Sequence, residues 1–102
     1  RMLWNGVVTV SVILNRSGKL CAVPSVAQSG LGDGDVASEY IAAALIAVED
    51  AVDSLGRLAR RNDASVEDVV SQSVRRLARS MFGLRPIAQV HIMRLESENV
   101  QV

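Results

Sequence analysis

Apolar and polar residues alternate singly near the two ends of the chain and recur every three or four positions in its middle. Val7-Val8-Thr9-Val10-Ser11-Val12-Ile13-Leu14 is rich in β-branched residues and predicts a strand. Val8, Val10, Val12 and Leu14 point to one side of it, and Val7, Thr9, Ser11 and Ile13 to the other. Asn15-Arg16-Ser17-Gly18 has the chemistry of a hairpin loop, with Gly18 free to take a positive φ. A return strand is expected from Lys19 to about Gln28. Pro24 inside it cannot donate to a ladder, which places that strand at a sheet edge. Ser29-Gly30-Leu31-Gly32-Asp33-Gly34 is the turn that follows.

The period then changes. Asp35 is suited to cap a first helix, whose stripe runs through Ile41, Leu45, Val48, Val52 and Leu55. Alanines 42, 43, 44, 47 and 51 flank that stripe and allow a neighbour to come close. Gly56 loosens or ends the pattern before Arg60-Arg61-Asn62. Ser65 with Asp68 resembles a capping box for a second helix, with Val66, Val69, Val70, Val74, Leu77 and Met81 as its apolar face. Gly83 stops this helix and Pro86 prevents its continuation. From Ile87 to Leu95 single alternation returns, with Ala88, Val90 and Ile92 on the buried side.

The predicted order is β-β-α-α-β. The fold class is α+β: a two-layer sandwich, with two antiparallel helices on one face of a three-stranded sheet. If the proline-bearing strand is an edge, the first strand is central and the last runs parallel to it. Residues 1–6 are expected to be the end of a linker, 7–95 the domain, and 96–102 a frayed tail. The opening Arg1-Met2-Leu3-Trp4, without a start methionine, suggests a piece of a longer chain.

Composition narrows the functions open to such a domain. Its 102 residues make one domain that buries roughly two-thirds of its unfolded surface. Trp4, Tyr40 and Phe82 are the only aromatics, so the core is aliphatic. Eleven Lys and Arg balance eleven Asp and Glu, without the basic excess usual in nucleic-acid grips. No apolar run is long enough to span a membrane. One histidine, His91, and one cysteine, Cys21, provide neither a metal cage nor a nucleophile–base pair, so no catalytic and no metal residue is assigned. Cys21 is expected to be a packing residue, and its single thiol is compatible with a reducing compartment. Glu49, Asp50 and Asp53 form a solvated helix face, and the acidic residues around Gly30, Gly32 and Gly34 would repel a phosphate.

Two surfaces remain. Arg75, Arg76 and Arg79, with Arg85 just beyond their helix, are candidate RNA contacts. Both helices begin acidic and end basic, however, which suits the helix dipole and gives these charges local partners. The outer sheet face is the candidate self-association surface: Val7, Thr9, Ser11, Ile13, Ile87, Gln89, His91 and Met93, half apolar and uncovered by helices.

The order of these features resembles a known family. Arg1-Met2-Leu3-Trp4-Asn5-Gly6-Val7-Val8-Thr9-Val10 leads into a hairpin with Gly18, then Pro24, Gly30-Leu31 and an acidic turn. After the helices comes Phe82-Gly83-Leu84-Arg85-Pro86-Ile87-Ala88-Gln89-Val90-His91-Ile92-Met93-Arg94-Leu95. Over nearly all of residues 1–95 the chain is similar to the C-terminal domain of bacterial ribonuclease J. The resemblance implies a cytoplasmic parent enzyme with a metallo-β-lactamase domain, an inserted β-CASP domain and a linker to this small domain. That parent is a zinc-dependent 5′-to-3′ exoribonuclease and endoribonuclease of RNA maturation and decay. Its His-x-His-x-Asp-His type of metal motif is absent here, so the resemblance transfers no catalytic residue and no zinc to this domain. It implies a role in homo-oligomer assembly or in support of the catalytic domains of the same chain, with RNA a partner through the parent. An RNA-binding accessory module is the alternative.

Overall fold

The computed structural model describes residues 5–95. Residues 1–4 of the expected linker and the whole expected tail, 96–102, lie outside the described residues. Three strands, β1 (Val7–Leu14), β2 (Ser25–Ser29) and β3 (Ile87–Arg94), form a mixed sheet in the order β2-β1-β3. The helices α1 (Gly34–Asp53), α2 (Arg57–Arg60) and α3 (Asp63–Phe82) lie between β2 and β3 in the chain. β1 pairs antiparallel with β2 and parallel with β3. The two-layer α+β sandwich, the central first strand and the parallel last strand are as expected.

The core follows from the alternation in β1. Val8, Val10, Val12 and Leu14 are each 0% exposed, and they pack with Tyr40, Ala44, Val48 and Val52 of α1 and Val66, Val70, Val74 and Ala78 of α3. A fully buried valine stabilises the fold by roughly 1.5–3 kcal/mol, so these aliphatic ladders supply much of the driving force. α1 and α3 run antiparallel. The Tyr40 hydroxyl, early in α1, donates to the Val74 carbonyl of α3 at 2.8 Å, and its ring lies 5.7 Å from that of Phe82. Burial pushes the Tyr40 phenol up to about 12.

Several local expectations are corrected. The return strand starts at Ser25, not Lys19, because Pro24 is buried immediately ahead of the ladder instead of lying within it. Only a Leu14–Leu20 bridge and a Cys21 N–H to Ile13 O bond join the intervening segment to β1. The first helix begins at Gly34, with Asp33 rather than Asp35 at the cap position and no side-chain cap bond. Its buried line is Tyr40, Ala44, Val48 and Val52. Ile41 and Leu45 are only half-buried, since the small Ala44 brings the helix closest to its neighbours. The second long helix is capped by Asn62, whose Oδ1 accepts the Ser65 N–H at 3.1 Å, so Ser65 lies inside the first turn. Ala78 replaces Met81 on its buried face, Met81 being 37% exposed. The additional short helix α2 follows the break at Gly56 and takes Arg57 and Arg60 with it, so α1, contrary to expectation, ends without a basic residue in its last turn. Gly83 closes α3 with a φ of 69°, as expected.

One end of the sandwich is tied together around Arg60. Asn15 Oδ1 accepts the N–H groups of Ser17 and Lys19 at 3.0 Å each and folds the hairpin loop. This brings the backbone of Gly18, φ +88°, against Arg60. The Arg60 carbonyl accepts from Arg94 Nη2 at 2.8 Å, while Arg94 Nε pairs with Asp63 Oδ1 at 2.7 Å. The last strand is thereby pinned to the start of α3.

Two outcomes are expected. A Cβ at Gly18 would lie 2.5 Å from Arg60 Cβ in a left-handed backbone, so Gly18→Ala should cost about 1–3 kcal/mol in urea unfolding. The Tyr40 value in the folded chain, about 12, exceeds its ordinary 10.0. The stabilisation it provides is therefore complete below the ordinary value and lost as pH rises through the folded one. Wild type should lose stability across that window more steeply than Tyr40→Phe, measured by denaturant midpoints at stepped alkaline pH.

Candidate assembly surface

The alternation that buries the even-numbered residues of β1 puts the odd-numbered ones on the sheet face away from the helices. Register fixes their neighbours: Val7 lies beside Ile87, Thr9 beside Gln89, Ser11 beside His91, and Ile13 beside Met93. All eight residues proposed from the sequence thus share one face. The four on β3 are exposed, Met93 by 58% and Ile87 by 41%, and the four on β1 are half-buried between their neighbours. The face is apolar at both ends and polar across its middle, where the Thr9 hydroxyl donates to Gln89 Oε1 at 3.4 Å.

Sequence reasoning missed the contribution of β2. Ser25, Ala27 and Ser29 lie opposite Ser11, Thr9 and Val7 and extend the same face with small exposed side chains. With Pro24 read as part of the ladder, the sequence does not fix the phase of that strand. Cys21 is half-buried beside the end of β1, its Sγ 3.8 Å from the Lys19 carbonyl. His91 stands exposed on the outer face opposite Ser11.

The basic residues are arranged differently. Arg75, Arg76 and Arg79 are exposed on the later half of α3, and Arg85 is exposed in the connection to β3. Arg76 lines an open groove of about 500 Å³ between α1 and α3, on the side of the molecule away from the sheet. Asp50 of α1 lines the same groove, together with Ala47, Val69, Gln72 and Leu77. Arg76 therefore shares its groove with a carboxylate. Glu49 is half-buried, and Asp53 is exposed at the end of α1.

Among the described residues, no three or more His, Cys, Asp or Glu side chains come together as a metal-holding group. No helix among them is long and apolar enough to cross a membrane. A search of curated proteins returns no match. A family model, described as the ribonuclease J C-terminal domain, matches residues 1–95.

Proposed function

Because the chain belongs to the ribonuclease J C-terminal domain family, we propose that it serves a ribonuclease-J-like enzyme as a non-catalytic domain that joins copies of the enzyme or braces its catalytic part. The observation that supports this reading is the outer sheet face. Helices cover the other side, while Val7, Ile87, Ile13 and Met93 present apolar corners around a polar centre. An apolar surface with polar groups interspersed has the make-up of a contact between folded proteins. In this reading the zinc-dependent cleavage of RNA, from the 5′ end or internally, belongs to other domains of a cytoplasmic parent. No step of hydrolysis is routed through the residues of this domain.

The test is the mass of the chain in solution. Static light scattering should give more than one chain per particle for wild type. Ile13→Lys combined with Met93→Lys should lower that mass, with an unchanged far-UV spectrum. Lysine at these half-exposed positions can extend its charge into water, so the monomer itself should tolerate both changes. An unchanged mass in the double variant would refute assembly through this face.

The alternative, an RNA-guiding surface at Arg75, Arg76, Arg79 and Arg85, makes a contrary prediction. Phosphate contacts weaken steeply with salt. Given a formal charge of zero and Asp50 in the same groove as Arg76, titration with single-stranded RNA should show weak binding and a shallow salt slope. Tight binding with a steep slope, reduced by Arg76→Ala or Arg79→Ala, would favour the RNA-guiding reading.

A further inference from the structure

The two edges of the sheet differ. β2 is a short edge strand of five residues that starts directly after Pro24. β3 is an edge of eight residues, and from Ile87 to Met93 it contains no proline, lysine, arginine, aspartate or glutamate. Charged or proline residues commonly guard such edges against pairing with another chain. The strand's one such charge, Arg94, is turned back to Asp63 and the Arg60 carbonyl, so it does not guard the edge.

The hydrogen-bond phase of β3 shows which groups the edge offers. Ile87 N–H donates to the Gly6 carbonyl at 2.9 Å and Leu95 N–H to the Leu14 carbonyl at 2.8 Å. In a parallel ladder, bonding alternates along the strand, so the odd-numbered residues of β3 turn their backbone toward β1. The N–H and C=O groups of Ala88, Val90 and Ile92 consequently point away from the sheet. Among the described residues none of them has a partner across that edge.

We propose that this edge pairs antiparallel with β3 of a second copy of the chain, about a two-fold axis at Val90, so that the two sheets become one. The strand's own sequence selects this occupant and this register. Centred on Val90, the strand is complementary to itself. Val90 meets Val90 of the second copy, and Ala88 meets Ile92, small against large, on the helix side. On the outer side polar Gln89 meets polar His91, and apolar Ile87 meets apolar Met93. The outward-pointing residues fall into the hydrogen-bonded pairs, in which each residue both donates to and accepts from its opposite. Gln89 and His91 fall into the non-bonded pairs, where side chains approach most closely. This contact is made by backbone groups at the rim. Its outer-side pairs use Ile87, Gln89, His91 and Met93, which also belong to the outer face, whereas the β1 half of that face, Ile13 included, takes no part in it.

The test is register-specific disulfide formation in the full 102-residue chain, with the native thiol removed as Cys21→Ala. Gln89→Cys and His91→Cys are made separately, then mixed and oxidised. Directly opposed Cβ atoms in a non-bonded pair lie about 4.5–5.5 Å apart, whereas diagonal neighbours lie at about 7–8 Å, which favours bridging of the opposed pair. The expected result is a covalent dimer that contains one chain of each variant, with little from either variant alone. Adding Ile13→Lys, which lies on the central strand, should leave this cross-link intact even if it disrupts packing of the outer face. A dimer formed equally well by one variant alone, or by no combination, overturns the proposal. Amide exchange gives a second readout on the unmodified chain. Protection at Ala88, Val90 and Ile92 should rise with protein concentration. Protection independent of concentration would mean that a segment of the same chain covers the edge, and rapid exchange at every concentration would mean that nothing does. Either outcome overturns the pairing.

Discussion

Everything in this domain is referred to the register of β1. Its odd-numbered residues bond toward β2 and its even-numbered residues toward β3, while its even side chains are all fully buried. A slip of one residue would expose Val8, Val10, Val12 and Leu14 and bury Thr9 and Ser11. The cost of that exchange, several valine burials at roughly 1.5–3 kcal/mol each, specifies the pairing on both sides at once. The helices need only be apolar along a single line to close the layer, which accounts for a core almost without aromatics.

The same register decides what the surface can do. Because the buried phase is fixed, so is the exposed phase, and Val7, Thr9, Ser11 and Ile13 are brought into line with Ile87, Gln89, His91 and Met93. The opposite side of the molecule has a different character. There α1 and α3 meet in an open groove lined by both Asp50 and Arg76 together with small, polar and apolar side chains. The domain thus presents a sheet face without formal charge and a helix face of mixed charge, consistent with an overall charge of zero.

The strands and the outer face were legible in the sequence wherever alternation is uninterrupted. In β1 and β3 a period of two allows only two phases, and valine or isoleucine marks the buried one. The first helix was harder to orient. The lines through residues 40 and 44 and through 41 and 45 share Val48 and Val52, and size alone favours Ile41 and Leu45 over Ala44. Close helix packing inverts that preference, because the smallest side chain is the one that lets backbones approach. Asn62 and Ser65 can both cap, and the choice depends on where the short helix after Gly56 delivers the chain. Pro24 is ambiguous for a related reason: a proline excluded from a ladder can be an edge residue or can lie just outside it, and only the three-dimensional path distinguishes the two. The direction of the free backbone groups on β3 has no signature in composition at all. It follows from which strand neighbours it and in which sense.

The parallel pairing of β1 with β3 has a kinetic corollary. Partners such as Thr9 and Gln89 are 80 positions apart in the chain. Contacts that span almost the whole length of a domain are slow to form, since the loop between them must close before they are rewarded. During synthesis the valines of β1 therefore cannot find their final neighbour until nearly all of the domain has left the ribosome. A chain stalled anywhere before Ile87 would hold a half-paired hydrophobic strand open to whatever binds it first, chaperone or aggregate.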